Sequence, residues 1–206
     1  MAFDETTTAR ARIAPLEEPF APEVRRSLGA MMGGSSRPPL ALFRTLLRNF
    51  QAGDRIRPLG SYSLTKETLA PRERELVIHR VTARLGAEYE WGVHAVIFAE
   101  ALGLPDDWID ATARGTAGEA AFDHRDGLLI RFVDELVDTH RLCDEVWLEM
   151  REAWSDEQLI ELLMLVGWYH MISFVVNGLR VELEPWGRRF PLTPKPPLHE
   201  HVERAS

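Results

Sequence analysis

The run from Leu159 to Val176 constrains this chain more than any other feature. Wound at 3.6 residues per turn it is apolar on nearly every side, and Ser155 with Gln158 opens it in the spacing of a capping box. A helix of this kind needs cover all round. The expectation is that it lies at the centre of a helical domain or is buried by other subunits.

The remaining periodicities are helical as well. Pro71 suits the first turn of a helix, and Leu76, Val77, Ile78, Val81 and Leu85 follow it, giving a helix over 70–85 that Gly86 ends. A second helix spans 88–101, with Trp91, Ala95, Phe98 and Leu102 on one side and Gly103 as its stop, so the two form a helical hairpin. Pro105, Asp106 and Asp107 start a short helix that closes near Gly115. Residues 122–139 and 144–153 read as amphipathic helices, as does the shorter stripe Leu40, Phe43, Leu46, Leu47 and Phe50. Residues 22–32 form a short helix, and Gly33 to Pro39 break regular structure. No strand alternation or internal repeat stands out. The chain divides into an N-terminal arm and loop (1–37), which could wrap a neighbour, a helical domain (38–184) and a proline-rich, extended or mobile C-terminal tail (185–206).

Composition narrows the function. With 45% hydrophobic and 27% charged residues the chain is an ordinary globular one, and a net charge of −8 disfavours nucleic acid or an anionic membrane as main partner. One cysteine, Cys143, allows neither an internal disulfide nor a thiolate metal site, so a cytoplasmic setting is expected. The start lacks the basic and apolar pattern of a leader, and no stretch is expected to reach the roughly 20 apolar residues that cross a bilayer.

One constellation carries chemistry. Glu90 and His94, four apart, share a helical face, where a carboxylate and an imidazole can exchange a proton near neutral pH. Glu75, on the preceding helix, faces the same place across the hairpin, and Tyr89 adds a phenol donor. The plain alternative is a solvated surface pair that stabilises its helix by about 0.2–0.5 kcal/mol. Trp91 packs the core or forms a substrate wall, His170 is a core histidine or a substrate contact, and Asn177 suits a helix contact equally well. His199 and His201 on the tail do not define a closed metal site.

The segments Pro71-Arg-Glu-Arg-Glu75-Leu-Val-Ile and Gly86-Ala87-Glu88-Tyr89-Glu90-Trp91-Gly-Val-His94 resemble the carboxymuconolactone decarboxylase family, which includes the AhpD-like alkylhydroperoxidases. The resemblance runs over roughly residues 38–190. Redox members carry a glutamate, a Cys-x-x-Cys pair and a histidine; Glu75 and His94 match, while Ala87 and Glu90 stand at the cysteine positions. Peroxide reduction needs a thiolate to attack oxygen and a second thiol to resolve the product, so the resemblance points away from it.

What the resemblance implies is an all-α, AhpD-like fold and a lyase or isomerase acting on a small carboxylated, conjugated or lactone substrate, without a metal or cofactor. His94 is the expected proton donor, Glu90 orients it, Glu75 and Tyr89 act as relay groups, and Ala87, Trp91 and His170 contact the substrate. The family assembles as trimers or hexamers, so a homo-oligomer is expected. Two other readings stand beside this one: a peroxidase-like relative with a changed mechanism, and a non-catalytic helical binding protein.

Overall fold

A computed structural model describes residues 10–65 and 68–191. Among the described residues every regular element is helical: α1 (Pro22–Met31), α2 (Ala41–Leu46), α3 (Phe50–Thr65), α4 (Pro71–Arg84), α5 (Glu88–His94), α6 (Asp106–Arg114), α7 (His124–Thr139), α8 (Asp144–Ala153) and α9 (Asp156–Leu179). The all-α expectation holds.

The centre of the molecule is α4, which packs against α5, α6, α7 and α9. Leu76, Val77, Ile78 and Val81 are wholly buried, each adding about 1.5–3 kcal/mol of hydrophobic stabilisation. Glu73, Arg74, Glu75 and Arg80 are buried too, and each has a partner. Arg80 grips Asp134 through two bonds of 2.6 and 2.7 Å and donates to the carbonyls of Thr112 and Gly115, while Glu73 accepts from Arg125 and from the Trp154 indole. Bidentate pairing of this kind offsets the cost of desolvating charge.

Hydropathy leaves α9 either central or covered by other subunits, and within the chain only one of its faces is covered. Leu162, Leu165, Tyr169, Ile172 and Val176 are buried, but Ile160, Leu163, Met164, Met171 and Phe174 form an exposed apolar stripe, Phe174 at 66%. One correction concerns bilayers. At 24 residues and a mean hydropathy of 1.8, α9 is long and apolar enough to cross one, although half of that stretch is covered by the rest of the fold. Its capping box is present: Ser155 accepts from the amide of Gln158, whose side chain accepts from the amide of Ser155.

Two further elements depart from the sequence reading. Residues 51–65, to which the sequence assigns no element, continue from Phe50 as α3, although Pro58 lies within it and Gly53 and Gly60 weaken helix propensity. Gly60 is needed for space: a Cβ there would come within 2.8 Å of the Trp168 ring. The helix expected over 88–101 is also not uniform, because after His94 it widens into a π-turn over Ala95–Ala99.

Both described terminal segments lie on their own chain. The amide of Arg12 donates to the carbonyl of Leu179 at 2.8 Å, and Arg44 and Arg48 donate to Leu16 and Ala14. Residues 12–16 of the arm thus contact their own chain. After α9, residues 181–191 cross α5 as an extended strap, where Arg188 donates to the Gly92 carbonyl and Phe190 to the Glu88 carboxylate. The remainder of the tail, with His199 and His201, lies outside the described residues.

Candidate functional site

Three helices bring four polar side chains together. α4 supplies Glu75, α5 supplies Glu90 and His94 one turn apart, and α9 supplies Tyr169. Glu75 is wholly buried, and its Oε2 accepts a 2.8 Å hydrogen bond from Nδ1 of His94. On the other side of the ring, the Tyr169 hydroxyl lies 3.1 Å from Nε2. Phe98 stacks on the imidazole at 4.6 Å between centroids, and Tyr169 meets it edge-on. Packing and hydrogen bonds thus fix both the plane and the rotation of His94.

Burial alone would push the Glu75 carboxyl up. The charge and hydrogen bond of His94, with smaller contributions from His79 and Arg74, outweigh it and hold the group below its ordinary value. Glu75 is therefore an anchoring anion. Behind it, His79 donates from Nδ1 to the Glu75 carbonyl at 2.7 Å, and its wholly buried Nε2 has no partner. Burial lowers its pKa to about 4, so it stays neutral at pH 7.

Glu90 is the group without a role in the packing. Its residue is 8% exposed, its Oε1 lies 3.8 Å from Nε2 of His94, and its buried Oε2 has no hydrogen-bond partner. Burial, reinforced by the nearby charge of Glu75 and opposed by His94, raises its pKa. Glu90, His94 and Tyr169 line a cavity of about 190 Å³, whose walls are mainly apolar and include Leu42, Phe43, Ile97, Trp168 and Ile172. Arg37 and Arg57 line it as well.

Of the other residues expected at the site, the structure brings none to this cavity. Tyr89 turns about 100° away from Glu90 on α5; its hydroxyl accepts from the Leu42 amide at 3.0 Å and donates to Glu184 at 2.7 Å, and burial raises its pKa. Trp91 turns the other way into the core, donating from its indole to Thr112 and packing against Phe190. Ala87 caps α5 and is buried among Leu40, Val93 and Val176. His170 points outward because its neighbour Tyr169 points inward; it meets Phe174 in a shallow surface groove with Leu136 and Met171. Cys143 is exposed and caps α8. Among the described residues no group of three or more His, Cys, Asp or Glu is placed to hold a metal ion.

The sequence alone does not mark Tyr169 and Phe98 as members of the site. The available signal was a tyrosine in a helix otherwise rich in aliphatics, where a buried hydroxyl needs a partner.

No family model matches the sequence, and no curated protein matches it. Solved structures do resemble it. An uncharacterized peroxidase-related protein from Silicibacter sp. TM1040 superposes with a TM-score of 0.76 at 12% identity, covering 90% of this chain and all (100%) of that one. The debrominase Bmp8 in its apo form gives 0.68 at 13%, covering 84% and 92% of the two chains. A cysteine-to-alanine variant of Bmp8 in complex with 2,3,4-tribromopyrrole gives 0.68 at 15%, covering 89% and 95%. These likenesses show the fold to be the AhpD-like helical one, and they leave the chemistry to the residues of the site.

Proposed function

We propose that this chain is a proton-transfer enzyme, a lyase or isomerase acting on a small carboxylated, conjugated or lactone substrate. One observation carries the reading: Glu90 holds a partnerless carboxyl oxygen in an apolar cavity, 3.8 Å from a histidine that Glu75 and Tyr169 hold in place. Glu90 in its neutral form delivers a proton to a substrate carbon, and His94 returns one to it. In a decarboxylation the C–C bond breaks, carbon dioxide leaves, and the electron pair stays on the substrate as an enolate that takes the Glu90 proton. In an isomerisation the Glu90 carboxylate removes a proton from one carbon and delivers it to another.

This assignment reverses the roles expected from the sequence. Both nitrogens of His94 already have partners, whereas Glu90 has a free oxygen in the cavity, so Glu90 acts on the substrate and His94 relays. The size of the cavity suits a compact conjugated molecule. A debrominase of like fold is known in complex with 2,3,4-tribromopyrrole, a small conjugated ring.

A peroxidase-type reaction draws support from the fold likeness to a peroxidase-related protein, but here it would have to use Cys143, which is not among the cavity's lining residues. Assembly into a homo-oligomer through the exposed stripe of α9 belongs to the same proposal, as does a cytoplasmic setting for a free, exposed cysteine. Carbon dioxide release from a panel of carboxymuconolactone-like and β-keto acids tests the chemistry, with an organic hydroperoxide plus dithiol as the contrasting assay. Release lost in both Glu90→Gln and His94→Ala supports the proposal. Peroxide turnover lost on replacing Cys143 overturns it in favour of the thiol route, and silence with every substrate favours a binding protein.

A further inference from the structure

The cavity is lined by charges of both signs, and the two signs differ in burial. Around Glu90 and His94 stand α5 and α9, with the anchoring anion Glu75 behind them. The same cavity is lined by Arg57 on α3, whose side chain is about one-third exposed, and by Arg37 on the α1–α2 connection, which is exposed, whereas Glu90 and His94 are buried. The chain has a net charge of −8, and many of its described arginines, such as Arg44, Arg80, Arg131 and Arg188, bond carboxylates or carbonyls. Arg57 and Arg37 are less engaged. Arg57 has a single 3.4 Å contact, through Nε, with Asp54, whose same oxygen also accepts a hydrogen bond from Ser27. Arg37 has no carboxylate partner among the described residues, and its guanidinium rests 4.5 Å from the centre of the Trp186 ring.

Resting on the proton-transfer reading, we infer that Arg57 and Arg37 bind the anionic group of the substrate at the mouth of the cavity, so that an amphipathic acid enters with its uncharged end toward Glu90. An unpaired carboxylate inside the apolar cavity would lose its hydration without compensation, and beside Glu75 it would also meet a like charge. At the mouth it meets planar guanidinium donors, which match a carboxylate in a two-pronged geometry while staying partly in water. The two side chains thereby select an acid over its neutral analogue and set its direction. The carbon that exchanges a proton lies at the far end from the anion they hold. A substrate that decarboxylates here therefore carries a second anionic group.

Calorimetric titration with cinnamate and with cinnamamide, its uncharged analogue, tests this on the full chain. The expected result is cinnamate binding tighter than the amide by about tenfold or more, a preference that weakens as salt is raised. In the Arg57→Gln/Arg37→Gln double variant acid and amide should bind alike, while Arg57→Lys, which keeps the charge, should retain part of the preference. Circular dichroism matching wild type shows that the variants fold. Equal binding of acid and amide by wild type, no binding of either, or an unchanged preference in the double variant overturns the inference. Glu90→Gln should keep the preference for the acid, so a failure of the proton chemistry and a failure of the arginine assignment give different results.

Discussion

Glu75 and His94 sit on different helices and share a 2.8 Å hydrogen bond between a wholly buried carboxylate and an imidazole. Removing the anion in Glu75→Ala strips His94 of its anchor and should cost about 3–5 kcal/mol in urea unfolding at pH 7, as for other broken buried pairs. The folded-state pKa of Glu75 lies below its ordinary 4.5, so its contribution is complete above that value and is lost as pH falls through the folded one. A variant as stable as wild type would show that the pair does not hold the fold.

Glu90→Gln separates chemistry from stability. Glutamine mimics the neutral acid in shape and cannot exchange a proton, so turnover should fall about 10²–10⁴-fold. Burial raises the folded-state pKa of Glu90 above 4.5, so ionising it opposes folding. Its stability contribution is fully present below 4.5 and lost as pH rises through the folded value. The variant should therefore match or exceed the wild-type melting temperature at pH 8, and a clear drop there would contradict the placement of Glu90.

His79 makes the protein acid-sensitive in a defined window. Its pKa falls from 6.5 to about 4 on folding, so the unfolded chain binds more protons between those values. Stability is full above 6.5 and declines by roughly 3 kcal/mol as pH drops toward 4, on the scale of 1.36 kcal/mol per pKa unit. Urea titrations at several pH values measure that slope. In His79→Leu it should shrink, leaving the carboxylate contributions, and an unchanged slope would place the effect elsewhere.

Gly92→Ala should destabilise even though alanine is the better helix former. A Cβ at residue 92 would lie 2.1 Å from the Arg188 carbonyl oxygen, so the strap must move. The gain of up to about 1 kcal/mol in helix propensity is smaller than the 1–3 kcal/mol typical of overpacking. A lower melting temperature and faster proteolysis within residues 181–191 are the expected signs. A variant more stable than wild type would mean that the strap gives way freely.

Local signals in the sequence were read correctly where they act locally. Pro71 opens α4, Ser155 caps α9, Gly103 turns the chain after the π-turn at φ 65°, and Glu90 and His94 do share a face. Periodicity fails where tertiary contacts decide. It makes α9 central or covered by other subunits because it counts apolar residues, and it does not reveal how deep α4 lies, since Glu73, Glu75 and Arg80 are buried through their pairing within the fold. It left α3 out because glycine and proline break its pattern, although Gly60 makes room for Trp168. Tyr89 and His170 each stand one residue from a side chain of the site, Glu90 and Tyr169, and one step along a helix turns a side chain about 100° away. Tyr169, 75 residues from His94, needed the fold to reveal it.

The strap that crosses α5 also sets an order of assembly on the ribosome. Phe190, which donates to Glu88, is translated 102 residues after it. At about 5–20 residues per second, α5 waits roughly 5–20 s for that contact. Through this interval Gly92 lacks its clasp and Trp91 its Phe190 neighbour. The nascent hairpin of α4 and α5 is thus left with an open flank, a surface for a chaperone to hold, until nearly all of the described chain has been made.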